Sequence, residues 1–332
     1  MFTKKLKIVP LAAKMAVALA VVGVCALPQA SFAQTKEKHI AYIAPDHQLA
    51  FWRYLAKGAE QQIVKNGGVM TDYDSHGDAA VQLKNAQDAI AHGVDGIIFT
   101  PTDSSTAPAV LKLAADAKIP LVIADIGTVS GDYNAFIESE NENAGYGVGT
   151  RLAEIMKKKG TDKGGYGVVS ISLARKIGKQ RTAGFRRAMT EAGISEVGFD
   201  QMRTYSADET FRFVQDMITA HPNIGGIFIE TDTPAMGAVR AIQSAHKSDT
   251  ISLAAFDGIP PFIQMLDDGS LAVLGAQQPF LMGQTAATAL LGSLNGKAPE
   301  KHTVLPIPIV WKQNLSQEMP VIRETIFGGE IK

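Results

Sequence analysis

The chain has 332 residues, 46% of them hydrophobic and 20% charged, with a formal net charge of −1. That composition excludes a disordered or fibrous polymer and leaves room for one large domain or two medium ones. No basic tract and no stripe of interleaved basic and aromatic residues is present, so nucleic acid is excluded as the expected partner, because phosphate binding needs a positive footprint.

From the N-terminus, Lys4, Lys5 and Lys7 make a basic start, residues 15–27 an apolar core, and "SFA" (31–33) a small-residue site before Gln34. This pattern predicts a cleaved secretory signal peptide over residues 1–33, with a core too short to span a bilayer comfortably. Cys25, the one cysteine, lies inside it. An acylated lipoprotein is disfavoured because Val24 stands where that signal has Gly, Ala or Ser. The exported chain is therefore expected to have no disulfide and no thiol chemistry. The leader holds four lysines and no acids, so its loss takes the formal charge from −1 to −5. No later stretch is long and apolar enough to be transmembrane, and a soluble exported product is expected.

Short apolar runs then alternate with helical patterns. "IAYIA" (40–44), "VMTDYD" (69–74), "DGIIFTP" (95–101), "PLVIADI" (120–126) and "AFIES" (135–139) read as strands, with helices over 51–65, 78–91, 106–117 and 143–158. The rhythm restarts with "YGVVSIS" (166–172), "GFDQMRTYS" (198–206), "IGGIFIET" (224–231), "SLAAFD" (252–257) and "LAVLGAQQ" (271–278). Helices over 179–192, 208–220, 234–246 and 280–294 follow these strands. Such alternation means parallel sheets covered by helices. A break near "GTDKGGYG" (160–167) points to two αβ domains of similar size. Residues 311–332 show little periodicity and are expected to pack along the surface.

In an open parallel sheet the ligand crevice lies beyond the carboxyl ends of the strands. Asp125, Asp257, Thr100, Thr231 and Gln277 all sit at such ends. Asp, Thr and Ser there also serve as caps and turn residues, the better reading for Asp103. Asp125 and Asp257 end long apolar runs with no obvious helix at the cap spacing, so they are expected to face a cleft.

In chain order, "AFWRYLAKGAE" (50–60), "FTPTDSS" (99–105), "IPLVIAD" (119–125), "KQRTAGFRRAM" (179–189), "AAFDGIP" (254–260) and "GAQQPFLMG" (275–283) resemble the type I periplasmic binding proteins of sugar ABC transporters, in pattern the ribose-binding proteins. The resemblance runs from about residue 39 to 310. It implies an α/β fold of two Rossmann-like parallel-sheet domains joined by three hinge crossovers, near residues 139–141, 277–279 and 306–308. One lobe would comprise 39–139 plus 279–306, the other 140–278 plus 307–332. The expected function is capture of a monosaccharide or related polyhydroxylated ligand in the periplasm and delivery, as a monomer, to an inner-membrane ABC permease. A sensory protein of the same fold, docking on a histidine kinase or chemoreceptor, is the alternative.

A sugar presents hydroxyls, which carboxylates, amides and guanidinium groups grip well, and an apolar C–H face that stacks on aromatic rings. By resemblance the ligand-binding residues are Phe51 or Trp52 as stacking platform, Thr100, Asp125, Arg181, Tyr205 as a second aromatic, Thr231, Asp257 and Gln277. Three positions depart from the ribose pattern. Ile126 stands where those proteins have Arg, and Thr100 and Thr231 where they have Asn. A more apolar pocket follows, open to a different sugar, a polyol, a deoxy sugar or a small non-sugar metabolite.

Catalytic motifs are not in evidence. "GYGVGT" (145–150) falls inside a helical pattern and lacks the dinucleotide fingerprint. "DYDSHGD" (72–78) has metal-like spacing, but Leu83 occupies the place of a calcium loop's bidentate Glu, and turn chemistry explains it better. Asp125 and Asp257 as a glycosidase-like acid/base pair is the enzyme alternative. No metal and no cofactor are expected.

Overall fold

A computed structural model of the chain describes residues 1–3, 5 and 37–331. The expected signal peptide, with Cys25, lies outside the described residues apart from its first few positions. The first half alternates β1 (Lys38–Ala44), α1 (Ala50–Lys65), β2 (Gly68–Asp74), α2 (Ala79–Ala91), β3 (Gly96–Phe99), α3 (Ala107–Asp116), β4 (Leu121–Ala124), β5 (Ala135–Ser139) and α4 (Asn141–Lys159). The second continues with β6 (Tyr166–Ser170), α5 (Lys176–Glu191), β7 (Glu196–Gln201), α6 (Ala207–Ala220), β8 (Gly226–Ile229), α7 (Asp232–Ser244), β9 (Ser252–Phe256), α8 (Pro260–Asp268) and β10 (Val273–Gly275). Then come α9 (Pro279–Leu294), β11 (His302–Leu305), β12 (Ile309–Val310) and α10 (Leu315–Val321), which runs into a short π-helix over Ile322–Ile326.

Two six-stranded sheets result, ordered β11–β5–β4–β3–β1–β2 and β12–β10–β9–β8–β6–β7. Neighbouring strands are parallel except β10 with β12. Inner strands such as "LVIA" in β4 and "SLAAF" in β9 are buried along their whole length. Helices cover both faces of a parallel sheet, so its strands must be apolar throughout and do not alternate. The chain leaves the first sheet after β5, returns through α9 and β11, and leaves again for β12. These are the three crossovers of the two-lobed fold.

Helix pairs approach backbone to backbone, α4 with α5 and α1 with α9 among them. A Cβ on Gly145 of α4 would lie 2.4 Å from the Arg181 carbonyl oxygen, and one on Gly184 of α5 2.0 Å from that of Glu142. In the first lobe a Cβ on Gly58 of α1 would meet the Phe280 oxygen at 2.0 Å, and one on Gly283 of α9 the Leu55 oxygen at 2.0 Å. "GYGVGT" is thus a helix-packing face. In "DYDSHGD", Asp78 caps α2 through the Ala80 and Val81 N–H groups, and Asp74 Oδ1 accepts from the His47 and His76 N–H groups at 3.2 and 2.9 Å.

Two expectations need correction. No helix is expected soon after Asp257, yet α8 begins three residues after it, because proline suits the first turn of a helix, where its missing N–H has no intrahelical partner to lose. Nor does the tail simply lie along the surface. Ile322, Ile326 and Phe327 are each about 1% exposed. α10 packs on α8 and the π-helix on α9, while Phe327 meets the Tyr54 ring edge-on at 5.3 Å and Lys57 pairs with Glu330. A π-turn breaks the 3.6-residue spacing, so the buried face of this segment has no readable period.

Candidate functional site

Asp125 directly follows β4 and Asp257 directly follows β9. Both have left-handed backbone, with φ of 62° and 70°. Asp tolerates this region better than most residues, but it still costs on the order of 1–3 kcal/mol, so the surrounding structure must hold it. The two side chains meet at a narrow cavity with room for little more than a water molecule as the lobes stand. Leu49, Phe51, Trp52 and Asp125 line it from the first lobe. Ile171, Arg175, Ile177, Arg181, Thr231 and Asp257 line it from the second, and Gln277 from the crossover before α9.

Arg181, 2% exposed, is the hub. Its Nε donates to Asn141 Oδ1 at 2.8 Å, Nη1 to the Glu230 carbonyl at 2.8 Å, and Nη2 to Gln277 Oε1. Nη1 also lies 3.3 Å from Asp257 Oδ1, and the guanidinium sits over the Phe256 ring at 4.3 Å. Asp257 Oδ2 accepts the Thr231 hydroxyl at 2.7 Å, while its buried Oδ1 makes no hydrogen bond and has only the ion pair. Asp125 is less well provided for. Its Oδ1 accepts from Gln277 Nε2 at 3.1 Å, and its buried Oδ2 has no hydrogen-bond partner. Trp52 Nε1 is likewise buried and unpartnered. The Phe51 and Trp52 rings meet edge to face at 4.7 Å, each 3% exposed.

Further carboxylates stand behind the wall. Asp232 Oδ2 accepts the Phe51 N–H from the other lobe at 3.3 Å, and Glu230 accepts the Thr182 hydroxyl and, at 3.1 Å, the Ile171 N–H. Burial pushes all four acids up, since a charged form is disfavoured away from water. Asp125 rises to about 6, burial outweighing the pull of Arg181, and Glu230 to about 7, burial outweighing the Thr182 hydrogen bond. Asp232 and Asp257 are raised by burial too, with Arg181 holding Asp257 back.

Bonds between the lobes keep them face to face. Besides Phe51 to Asp232, Arg175 Nε donates to the Thr102 carbonyl at 2.9 Å, and the Lys176 N–H to Ser104 Oγ at 3.3 Å. Gln277 Nε2, on the crossover, also donates to Ser139 Oγ at 2.9 Å.

Phe51, Trp52, Asp125, Arg181, Thr231, Asp257 and Gln277 therefore come together as the sequence suggests. Thr100 and Tyr205 do not line the cavity. Thr100 is fully buried, its N–H bonded to the Ile43 carbonyl as a continuation of the sheet and its Oγ1 3.5 Å from the Tyr42 hydroxyl. Tyr205, at φ 52°, sits behind Arg175, its hydroxyl accepting the Ser172 N–H at 3.0 Å and its ring 4.9 Å from the Arg175 guanidinium. Sequence reasoning missed Leu49, Ile171, Arg175, Ile177 and the supporting acids Glu230 and Asp232. One signal was available: Leu49 and Ile171 lie in the loops after β1 and β6, which hold equivalent places in the two sheets. A roomier groove on the outer flank of the first lobe, between α9 and the segment around Pro299, contains none of the unpartnered buried polar atoms.

The family model described as the periplasmic binding protein domain matches residues 40–298. The ribose import binding protein of Salmonella typhimurium is 29% identical over 267 residues, which is 79% of this chain and 87% of that relative. The D-allose-binding periplasmic protein of Escherichia coli is 26% identical over 246 residues, 71% of this chain and 78% of that one. Among solved structures, a carbohydrate transporter solute-binding protein from Agrobacterium radiobacter in complex with D-arabinose aligns with a TM-score of 0.81 at 24% identity, over 88% of this chain and 99% of that one. A periplasmic solute-binding protein of Actinobacillus succinogenes with bound D-allose aligns at 0.78 and 23% identity, over 85% and 100%. With two crossover-linked parallel sheets enclosing a polar cavity, and a family match over most of its length, this chain belongs to the periplasmic binding proteins.

Proposed function

We propose that the protein captures a small polyhydroxylated molecule, a monosaccharide or a close relative such as a polyol or deoxy sugar, between its lobes in the periplasm. It then presents the closed, loaded form to the permease of an ABC importer. The observation that carries this reading is a pair of buried polar atoms at the cavity wall with neither a hydrogen bond nor an ion pair, Asp125 Oδ2 from a carboxylate and Trp52 Nε1 from an indole; Asp257 Oδ1 also lacks a hydrogen bond but has the Arg181 ion pair. An unmade hydrogen bond at a buried site costs about 1–3 kcal/mol, so such atoms call for a guest. A hydroxyl answers both, donating to the carboxylate and accepting from the indole N–H. Leu49, Ile171 and Ile177 offer the apolar surface that a C–H face needs. The relatives named for ribose and allose, and the structures holding D-arabinose and D-allose, support the sugar class.

The reading is capture without turnover, supported by relatives named as binding proteins. The ligand shifts the hinge equilibrium only by its differential affinity for the closed state, in which atoms of both lobes reach it together. The test is a thermal-shift screen of the purified protein against pentoses, hexoses, 6-deoxyhexoses and inositols, followed by calorimetry and product analysis. At least one compound should raise the melting temperature, since a ligand at 100 times its Kd adds about 2.7 kcal/mol to stability. It should be recovered unchanged. A flat screen, or conversion of the sugar, would overturn the proposal.

A further inference from the structure

Two guanidinium groups line the cavity, and they are unequally engaged. Each nitrogen of Arg181, the one expected from sequence to grip hydroxyls, already donates to a protein oxygen. Arg175 is different. It is the N-cap residue of α5 and only 8% exposed, and its Nε is anchored on the Thr102 carbonyl of the opposite lobe. Its guanidinium is backed by the Tyr205 ring, which the Ser172 N–H and a left-handed backbone hold in place. Among the described residues, Nη1 and Nη2 of Arg175 have no hydrogen-bond acceptor, and no carboxylate lies within ion-pair distance of them. The other lobe offers the unpartnered Asp125 Oδ2 to the same cavity.

We propose that Arg175 is the specificity-determining guanidinium of this site, and that it and Asp125 together take a vicinal pair of hydroxyls, one donating to Asp125 Oδ2 and its neighbour accepting from the Arg175 terminal nitrogens. This deepens the proposed function and rests on it. A guanidinium presents five N–H donors in a rigid fork, so anchoring Nε on a carbonyl still leaves four N–H bonds in a fixed plane. A diol fits between a fork that only donates and a carboxylate that only accepts, and both bonds are charge-assisted. No guanidinium lines the cavity from the first lobe; Arg175 supplies one from the second. Its Nε bond to Thr102 also forms only when the lobes meet, so the residue that reads the diol is one of those that hold the closed state.

The test is isothermal titration of the wild type, Arg175→Met and Arg175→Lys with D-ribose, D-allose, D-arabinose and myo-inositol, and with deoxy analogues of whichever binds best. Arg175→Met should weaken the best compound by about 10- to 100-fold, the range of a charged hydrogen bond. The loss caused by deleting the critical hydroxyl in the wild type should nearly vanish in that variant, and Arg175→Lys should recover part of the affinity. If Arg175→Met binds as the wild type does, or weakens every compound alike with the deoxy loss unchanged, the assignment falls while the sugar reading stands. If the wild type binds neither these four nor any compound of the thermal-shift screen, both fall. Should Arg175→Met fail to fold, judged by its melting curve without ligand, Arg175→Lys and Arg175→Gln carry the same hydroxyl-deletion comparison.

Discussion

Asp125 and Asp257 are one device built twice. Each follows an inner parallel strand, each has left-handed backbone, and each is buried at the same cavity. Their surroundings differ. Asp257 has an ion pair with Arg181 and a hydroxyl from Thr231, whereas Asp125 has one amide from Gln277 and an oxygen with nothing. A shared position in the fold therefore does not imply shared surroundings: each acid has one buried oxygen without a hydrogen bond, but that of Asp257 has the Arg181 counter-charge beside it, and on the proposed function the open one, on Asp125, is left for the guest.

The largest effect should come from removing the cation between them. Arg181→Met leaves Asp257 buried without its counter-charge, and urea unfolding should show a loss of about 3–5 kcal/mol. A smaller loss would mean that Asp257 is as open as Asp125. Next, Asp125→Asn and Asp257→Asn should separate cleanly. The first should cut affinity for the sugar found by screening about 10- to 100-fold and leave stability at pH 4, where Asp125 is protonated in the folded state, within about 1 kcal/mol, while the second should lower stability by about 1–3 kcal/mol as well. Equal effects from both would dissolve the contrast.

Acidity provides a third handle. Asp125 is raised from 3.8 to about 6 and Glu230 from 4.5 to about 7. The folded state then keeps protons that the unfolded chain has lost, so these groups make the protein most stable below about pH 4, and that advantage declines as pH rises through 6 and 7. Stability measured by denaturant between pH 4 and 8 should fall in that window. Asp125→Asn should flatten its lower part and Glu230→Gln its upper part. The smallest effect concerns the aromatic wall. Trp52 is one of two tryptophans, and Trp311 stacks instead under Arg151 at 3.8 Å. Trp52→Phe should abolish any ligand-induced change in intrinsic fluorescence while lowering affinity only several-fold.

Much of this was legible because fully buried strands must be continuous apolar runs, so the alternation of strands and helices, and the acids that end β4 and β9, stand out in the chain. Facing is harder to read. Thr100 also ends an apolar run, but in a pleated strand one residue decides whether a side chain points to the crevice or the core, and it points to Tyr42. Arg175 carries no signal in sequence, because what buries and anchors it, the carbonyl of Thr102, lies 73 positions away. The tail escaped for a similar reason, because its partners Tyr54 and Phe280 come from distant helices.

The glycine seams between α1 and α9 and between α4 and α5 bear on how such a protein can change its diet. Helices touching main chain to main chain leave no slack, so neither pair can be nudged aside to admit a bulkier compound. New preferences must arise at the strand tips and loops, at positions such as 49, 126, 171 and 175. A laboratory seeking a biosensor for another metabolite would randomise those four codons and leave the seams untouched.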